Sequence, residues 1–208
     1  MFSFLILIRI VIETFSIKLL NKFKNHYLWL AIKKIFFMHP LSQFNYCPKC
    51  GSASFIEHDF KSKSCTDCGF IYYFNCSAST AAFIMDSAGR LMVVRRAKDP
   101  SKGMLDLPGG FVDPDETAEE AIRREIEEET GLEISQLHYL FSIPNRYLYS
   151  GFEVHTVDLF FECQVDEFSK AKASDDASEI IFLQPNEINP DDFGLDSIRK
   201  SIIKFQGM

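Results

Sequence analysis

The sequence holds no apolar run long enough to cross a bilayer. The strongest candidate, Met1–Ile12, is broken by Arg9, and a spanning helix needs about 20 apolar residues. No small-residue cleavage site follows that stretch, and its basic residues come after it rather than before, so a secretory signal fits poorly. No internal repeat and no low-complexity tract occurs, which excludes repeat architectures. Positive charge is also scarce, with 22 Lys and Arg against 29 Asp and Glu and a formal net charge of −7. Residues 1–37 hold Arg9, Lys18, Lys22, Lys24, Lys33 and Lys34 against Glu13 alone, a local +5 that leaves −12 on the rest. Generic nucleic-acid binding draws on many cations that neutralise phosphates, so the acidic body argues against it. It fits a site that meets an anionic substrate through bound cations.

What is present supports a small globular enzyme. The 208 residues are 47% apolar and include 21 Phe, enough for one ordinary domain plus a small module. The expected division is an apolar and basic extension over 1–37, a cysteine-bearing module over 38–76 and a main domain over 77–208. Three readings fit residues 1–37: an amphipathic membrane-surface anchor, a packed helix, or an extension outside the true coding start. The last is favoured, because Met38 directly precedes the cysteine module. A cytoplasmic location follows from the same features, and a homodimer is compatible with them.

The most informative stretch runs Gly110-x5-Glu116-x7-Arg124-Glu125-Ile126-x-Glu128-Glu129-x-Gly131-Leu132. Thr117 with Glu120 three residues later makes a capping box, and Gly131 can take the left-handed turn that ends a helix. Between them, Ala118, Ala121, Ile122 and Ile126 form an apolar stripe at helical spacing. Glu125 and Glu129 fall inside the stripe, and Glu128 stands at its border. A solvated acidic helix with pairs such as Arg123–Glu127 and Arg124–Glu128 explains the acids on the far side. It does not explain acids on the stripe, where a buried charge costs several kcal/mol unless it is paired or bound to metal. Oxygen-only ligands suit Mg²⁺ or Mn²⁺.

The stretch resembles the Nudix box of the Nudix hydrolases at all nine specified positions, a match on the order of one in 10⁸ per start position by chance. The resemblance implies an α/β (α+β) fold, an α/β/α sandwich around a mixed sheet. It also implies Mg²⁺- or Mn²⁺-dependent hydrolysis of a nucleoside diphosphate linked to another group. Carried over residue by residue, Glu125, Glu128 and Glu129 become metal ligands, and one of them activates water. Glu116 and Arg124 become a bracing ion pair, and Gly110 a backbone approach point and ligand beside the metal. Two departures are visible. Leu105 stands where the loop often has Trp, and Asp115 where Gly commonly precedes the box glutamate; Asp tolerates a left-handed backbone better than most residues.

Upstream, Cys47-x2-Cys50-x14-Cys65-x2-Cys68 places each cysteine pair before a glycine, Gly51 or Gly69. Four thiolates at this spacing favour one structural, tetrahedral Zn²⁺, with disulfides or a redox pair as alternatives. Cys76 and Cys163 lack partners at ligand spacing. A zinc ribbon ahead of a Nudix box is similar to the NADH pyrophosphatase branch. The aromatic-proline series of that branch is absent, however; Phe141-Ser142-Ile143-Pro144-Asn145-Arg146-Tyr147 stands in its place.

The coarse order of the main domain is a strand over 77–86, a strand over 91–97, the box helix, strands near 134–143 and 153–165, a polar loop over 173–178, a short strand over 179–183 and a closing helix over 195–205. Arg95 or Arg96 could pair a phosphate. Arg146 and Tyr147, with Tyr149, are expected in a loop where an aromatic stacks a base and Arg holds phosphate. Glu179 is the favoured extra carboxylate, with Asp175, Asp176 and Glu153 as competitors. The most fitting substrates are small nucleotides such as NADH or ADP-ribose. A zinc-ribbon regulator that binds nucleotide, nucleic acid or protein without catalysis remains a separate class. A chain starting at Met38 should turn over within about twofold of the full chain, since surface changes away from a site rarely exceed about 0.5 kcal/mol. Steady-state kinetics of the truncated chain checks this.

Overall fold

The computed structural model describes residues 39–208. The expectations for residues 1–37 lie outside that range. The chain divides into one unit ending at Phe74 and a second running from Asn75 to Met208.

In the first unit, β1 (Phe55–Asp59), β2 (Ser62–Cys65) and β3 (Ile71–Tyr73) form an antiparallel sheet in that order. Gly51 and Gly69 take left-handed conformations, with φ of 76° and 71°. Their N–H groups donate to the carbonyls of Cys47 and Cys65. Each turn folds a cysteine pair back on itself. The core is only Phe55 with Cys47 and Cys65, flanked by Cys68 and Phe70, too little apolar area to hold a module of this size.

The second unit contains β4 (Ser77–Met85), β5 (Leu91–Arg96), β6 (Leu105–Asp106), α1 (Ala118–Thr130), β7 (Ile134–Tyr149), β8 (Phe152–Val165), β9 (Ala177–Leu183) and α2 (Asp196–Gln206). Its mixed sheet runs β6-β5-β4-β8-β7, with β9 also paired to β5. Strands β4 and β8 are parallel, and β7 and β8 form a long antiparallel hairpin. Strand side chains alternate between faces. Accordingly Ala81, Phe83, Val93 and Phe160 pack with Ile198 and Ile202 of α2. Ala82, Ile84, Met92 and Phe161 pack with Ile122 and Ile126 of α1. Phe205 of α2 stacks on Phe83 with ring centroids 4.0 Å apart. The result is the expected α/β/α layering around a mixed sheet.

Two boundaries differ from the sequence reading. Residues 144–149 belong to β7, not to a loop, and the hairpin reverses at Ser150-Gly151, whose φ values are 50° and 75°. Pro144 and its polar neighbours read as breakers in sequence. Strand β7 lies at the sheet edge, however, and an edge strand tolerates proline. Strand β9 begins at Ala177, two residues before the expected start at Glu179.

Candidate active site

The box helix starts and stops on local chemistry. Thr117 accepts the Glu120 N–H, and the Glu120 carboxylate takes the Thr117 N–H at 2.8 Å. Gly131 closes the helix with φ 69°. Between these caps the carboxylates grade inward. The Glu128 side chain is 47% exposed and that of Glu125 15%, whereas Glu129 is 5% exposed.

The loop before the helix is stitched to β4. Thr80 N–H donates to the Gly110 carbonyl at 2.8 Å, and Ala82 N–H donates to that of Pro108 at 2.9 Å. This brings Gly109 N–H within 3.0 Å of Glu129 Oε2. It also lays Gly110 against Glu125, so that a Cβ on Gly110 would lie 2.5 Å from that carboxyl group. Asp115 takes a left-handed φ of 65°, as its position before Glu116 requires.

Arg124 ties these parts together. Its Nε and Nη2 donate to the two oxygens of Glu116, both at 2.9 Å. Its Nη1 reaches Glu125 at 2.8 Å and Glu128 at 3.1 Å, and Nη2 also donates to the Phe111 carbonyl at 3.0 Å. Paired charge-assisted bonds of this kind fix geometry as well as supplying energy. Arg123 turns instead to the Ile134 carbonyl, so the Arg123–Glu127 pair of the sequence reading gives way to a contact that anchors helix to sheet.

The electrostatics follow from burial. Burial pushes the Glu129 carboxyl up to about 8, opposed by the Gly109 N–H and reinforced by the negative charges of Asp106, Glu125 and Asp176. Burial also raises Glu125, against the pull of Arg124. The hydrogen bonds from Arg124 hold Glu116 below the usual carboxylate range. One buried and one half-buried carboxyl group beside the bare Gly109-Gly110 backbone make an oxygen donor set that fits a hard divalent cation. The Gly110 carbonyl already accepts from Thr80 N–H, with the Thr80 hydroxyl at 3.4 Å.

Among the described residues, Cys47, Cys50, Cys65 and Cys68 are the one group of three or more metal-capable side chains whose ligand atoms all lie within 4.8 Å of one another. The box carboxylates are spread more widely, with the Arg124 guanidinium between Glu125 and Glu128. The Cys47–Cys68 and Cys50–Cys65 sulfur separations are both 3.7 Å. A tetrahedron with metal–sulfur bonds of about 2.3 Å has edges of about 3.8 Å, so the quartet fits zinc. All four cysteines are free of disulfides.

A cavity of about 130 Å³ lies beside Gly109 and Gly110. Of the expected substrate residues it takes in Arg96 and Tyr147. Arg96 is committed to Asp106 and to the Pro100 carbonyl. Arg95 pairs with Glu179 at 2.8 Å on the strand surface. Arg146 and Tyr147 are successive strand residues and so face opposite sides; they do not act together from one loop. Of the competing late carboxylates, Asp176 lines the cavity and Glu179 does not. Sequence reasoning missed Asp106, Asn145 and Asp158, all nearly buried along that cavity. The available signal was a single acid inside the apolar run Val157-Asp158-Leu159-Phe160-Phe161.

The NUDIX domain family matches residues 77–204. The chain belongs to the NUDIX family. Membership makes it an enzyme of the pyrophosphohydrolase class. It is 34% identical over 125 residues to an ADP-ribose pyrophosphatase of Methanocaldococcus jannaschii, across 59% of this chain and 71% of that one. It is 33% identical over 97 residues to the NAD-capped RNA hydrolase NudC of Chromobacterium violaceum, across 47% of this chain but only 36% of that one. The fold is similar to that of a NUDIX hydrolase from Nitrosomonas europaea, with TM-score 0.62 and 18% identity over 78% of this chain and 90% of that one.

The two loop glycines should respond differently to alanine. At Gly109, with φ 143°, a Cβ would strike the Thr80 carbonyl of the backbone, so Gly109→Ala should lower stability by about 1–3 kcal/mol. At Gly110 the Cβ meets only the end of the Glu125 side chain, which can move. Gly110→Ala should melt near the parent temperature while losing turnover. Thermal denaturation beside steady-state kinetics separates the two.

Proposed function

We propose that this NUDIX enzyme hydrolyses the diphosphate bond of a nucleoside diphosphate linked to a second group, with ADP-ribose or a NAD-type dinucleotide as the class of substrate. The observation that carries this reading is the placement of buried Glu129 and half-buried Glu125 on the apolar stripe of α1, against Gly109 and Gly110. The cost of ionising them there is offset by a cation. Glu125, Glu128 and Glu129, with the backbone at Gly110, would hold Mg²⁺ or Mn²⁺. Such an ion supplies polarisation of the diphosphate and a lowered pKa for a bound water.

The remaining work falls to the chain itself. The Gly109 N–H orients Glu129. Glu116 and Arg124 keep the loop on the helix. A carboxylate takes the proton from water. Glu125 and Glu129 are candidates from the helix. Asp176, beside the cavity, is a better candidate than Glu179, which is exposed and spent on Arg95. Similarity to the M. jannaschii enzyme over most of that protein's length supports ADP-ribose. The similarity to NAD-capped RNA hydrolases supports a dinucleotide cap as a second reading. This chain spans only about a third of the C. violaceum protein, and the acidic body weighs against a long RNA strand. A non-catalytic regulator has less support, since nothing in ligand sensing requires the whole carboxylate set.

The test is release of nucleotide products from a panel of diphosphate compounds with Mg²⁺. Glu128→Gln and Glu129→Gln should each cut turnover at least about a hundredfold, the scale of a lost base or major electrostatic contact, without unfolding the protein. Parent rates for both variants at saturating Mg²⁺ would remove the carboxylates from the site.

We assign Zn²⁺ to the cysteine quartet as a folding element, because four protein ligands close the coordination sphere. Metal analysis should find about one zinc per chain. Chelation should lower the thermal midpoint of the first unit, with loss of turnover following only as the protein unfolds. A zinc-free, disulfide-bonded protein would contradict the assignment.

A further inference from the structure

The cavity beside Gly109 and Gly110 includes two polar groups, Asp158 and Asn145, that the hydrolytic site leaves unused. Asp158 is 5% exposed and has no cation paired with it among the described residues. It is held instead by three hydroxyl donors: Ser79 and Thr156 to Oδ1, and Ser197 to Oδ2. A carboxylate offers about four lone-pair sites. Three are filled, and the fourth, on Oδ2, remains to accept a single N–H. Asn145, 7% exposed, accepts the Arg146 N–H with its Oδ1. Its Nδ2 has no partner among the described residues. Ser62 Oγ is the one sealed side-chain polar atom without a partner among the described residues, so Asn145 Nδ2 opens to solvent and is free to donate to a ligand acceptor. The two residues together present one acceptor and one donor.

The rest of the lining sets aromatic and apolar side chains beside Arg96, Asp106 and Asp176. Tyr147 and the half-exposed Phe111 bring aromatic faces, and Leu195 and Ile198 an apolar wall. Its volume of about 130 Å³ is close to the ~150 Å³ that takes a benzene ring, too small for a whole nucleotide. It lies on the α2 face of the sheet. Ser79 and Ala81 alternate onto that face of β4, as Thr156, Asp158 and Phe160 do on β8.

We infer that this cavity is the recognition pocket for one aromatic ring of the substrate, a ring that carries an N–H donor beside an acceptor, with Asp158 accepting from the donor and Asn145 Nδ2 donating to the acceptor. Two parts of a dinucleotide offer that pair: the amino edge of adenine and the carboxamide of nicotinamide. Asp158 and Asn145 are specificity residues for the ring and take no part in the chemistry at the diphosphate. The inference rests on the proposed function only in treating the ring as part of a nucleotide.

Equilibrium binding of AMP, IMP, nicotinamide mononucleotide and ribose 5-phosphate to the full chain tests this. The favoured ring should bind at least about tenfold more tightly than ribose 5-phosphate. AMP ahead of IMP, which has a carbonyl where adenine carries its amino group, assigns adenine; nicotinamide mononucleotide ahead of AMP assigns nicotinamide. Asn145→Ala and Asp158→Asn should each reduce the preference about tenfold. If Asp158→Asn fails to fold because its hydroxyl network is lost, Asn145→Ala alone decides, and Tyr147→Phe should keep the preference. Equal binding of all four compounds, or an unchanged preference in a folded Asn145→Ala protein, overturns the inference. Ring-dependent binding without hydrolysis of any diphosphate would sink the proposed function and leave this pocket standing. Hydrolysis without ring preference would do the reverse.

Discussion

Carboxylates crowded on one helix face repel one another, and placing two of them in an apolar stripe adds a desolvation cost of several kcal/mol. In this chain the single guanidinium of Arg124 meets most of that charge. It holds Glu116 bidentately, reaches Glu125 and Glu128, and caps the Phe111 carbonyl. Glu129 lies beyond its reach and among the described residues has only the Gly109 N–H, so burial pushes its carboxyl up to about 8. The loop and the helix are therefore fixed to one another by electrostatics as much as by packing. An uncharged residue at position 124 would leave Glu116, Glu125 and Glu128 facing each other.

The helix was legible to the residue because its determinants are local. Thr117 and Glu120 mark one end and Gly131 the other, and the spacing of Ile122 and Ile126 shows which glutamates turn inward. The cysteine turns were legible for the same reason, each glycine following its pair directly. The long hairpin was not, because Pro144 breaks a central strand but not an edge strand, and edge status is a property of the sheet. The late carboxylate was assigned to Glu179, at the expected junction of loop and strand. With β9 starting at Ala177, that side chain is carried to the strand surface and onto Arg95.

The polar cavity was illegible for a stronger reason. Ser79, Asn145, Asp158 and Ser197 come from β4, β7, β8 and α2, and no spacing relates them. Each alone reads as an ordinary polar residue. Only the parallel pairing of β4 with β8, and the packing of α2 against that face, makes Asp158 the meeting point of three hydroxyls.

The sheet keeps two kinds of negative charge apart. The carboxylates of α1 lie on one face, and Asp158 lies on the other, against α2. The segment bordering both is Gly109-Gly110, stitched to β4 through Thr80. At Gly109 the backbone approach to Thr80 leaves no room for a Cβ, and at Gly110 the Glu125 carboxyl fills the space a Cβ would take. A substrate with an anionic diphosphate and a flat ring has the same division, with charge at one end and hydrogen-bonding edges at the other. A bare backbone between the two sites lets both ends be read at once. On the proposed reading, the ribose that joins ring to diphosphate would pass over this segment, where a side chain at Gly109 or Gly110 would crowd it.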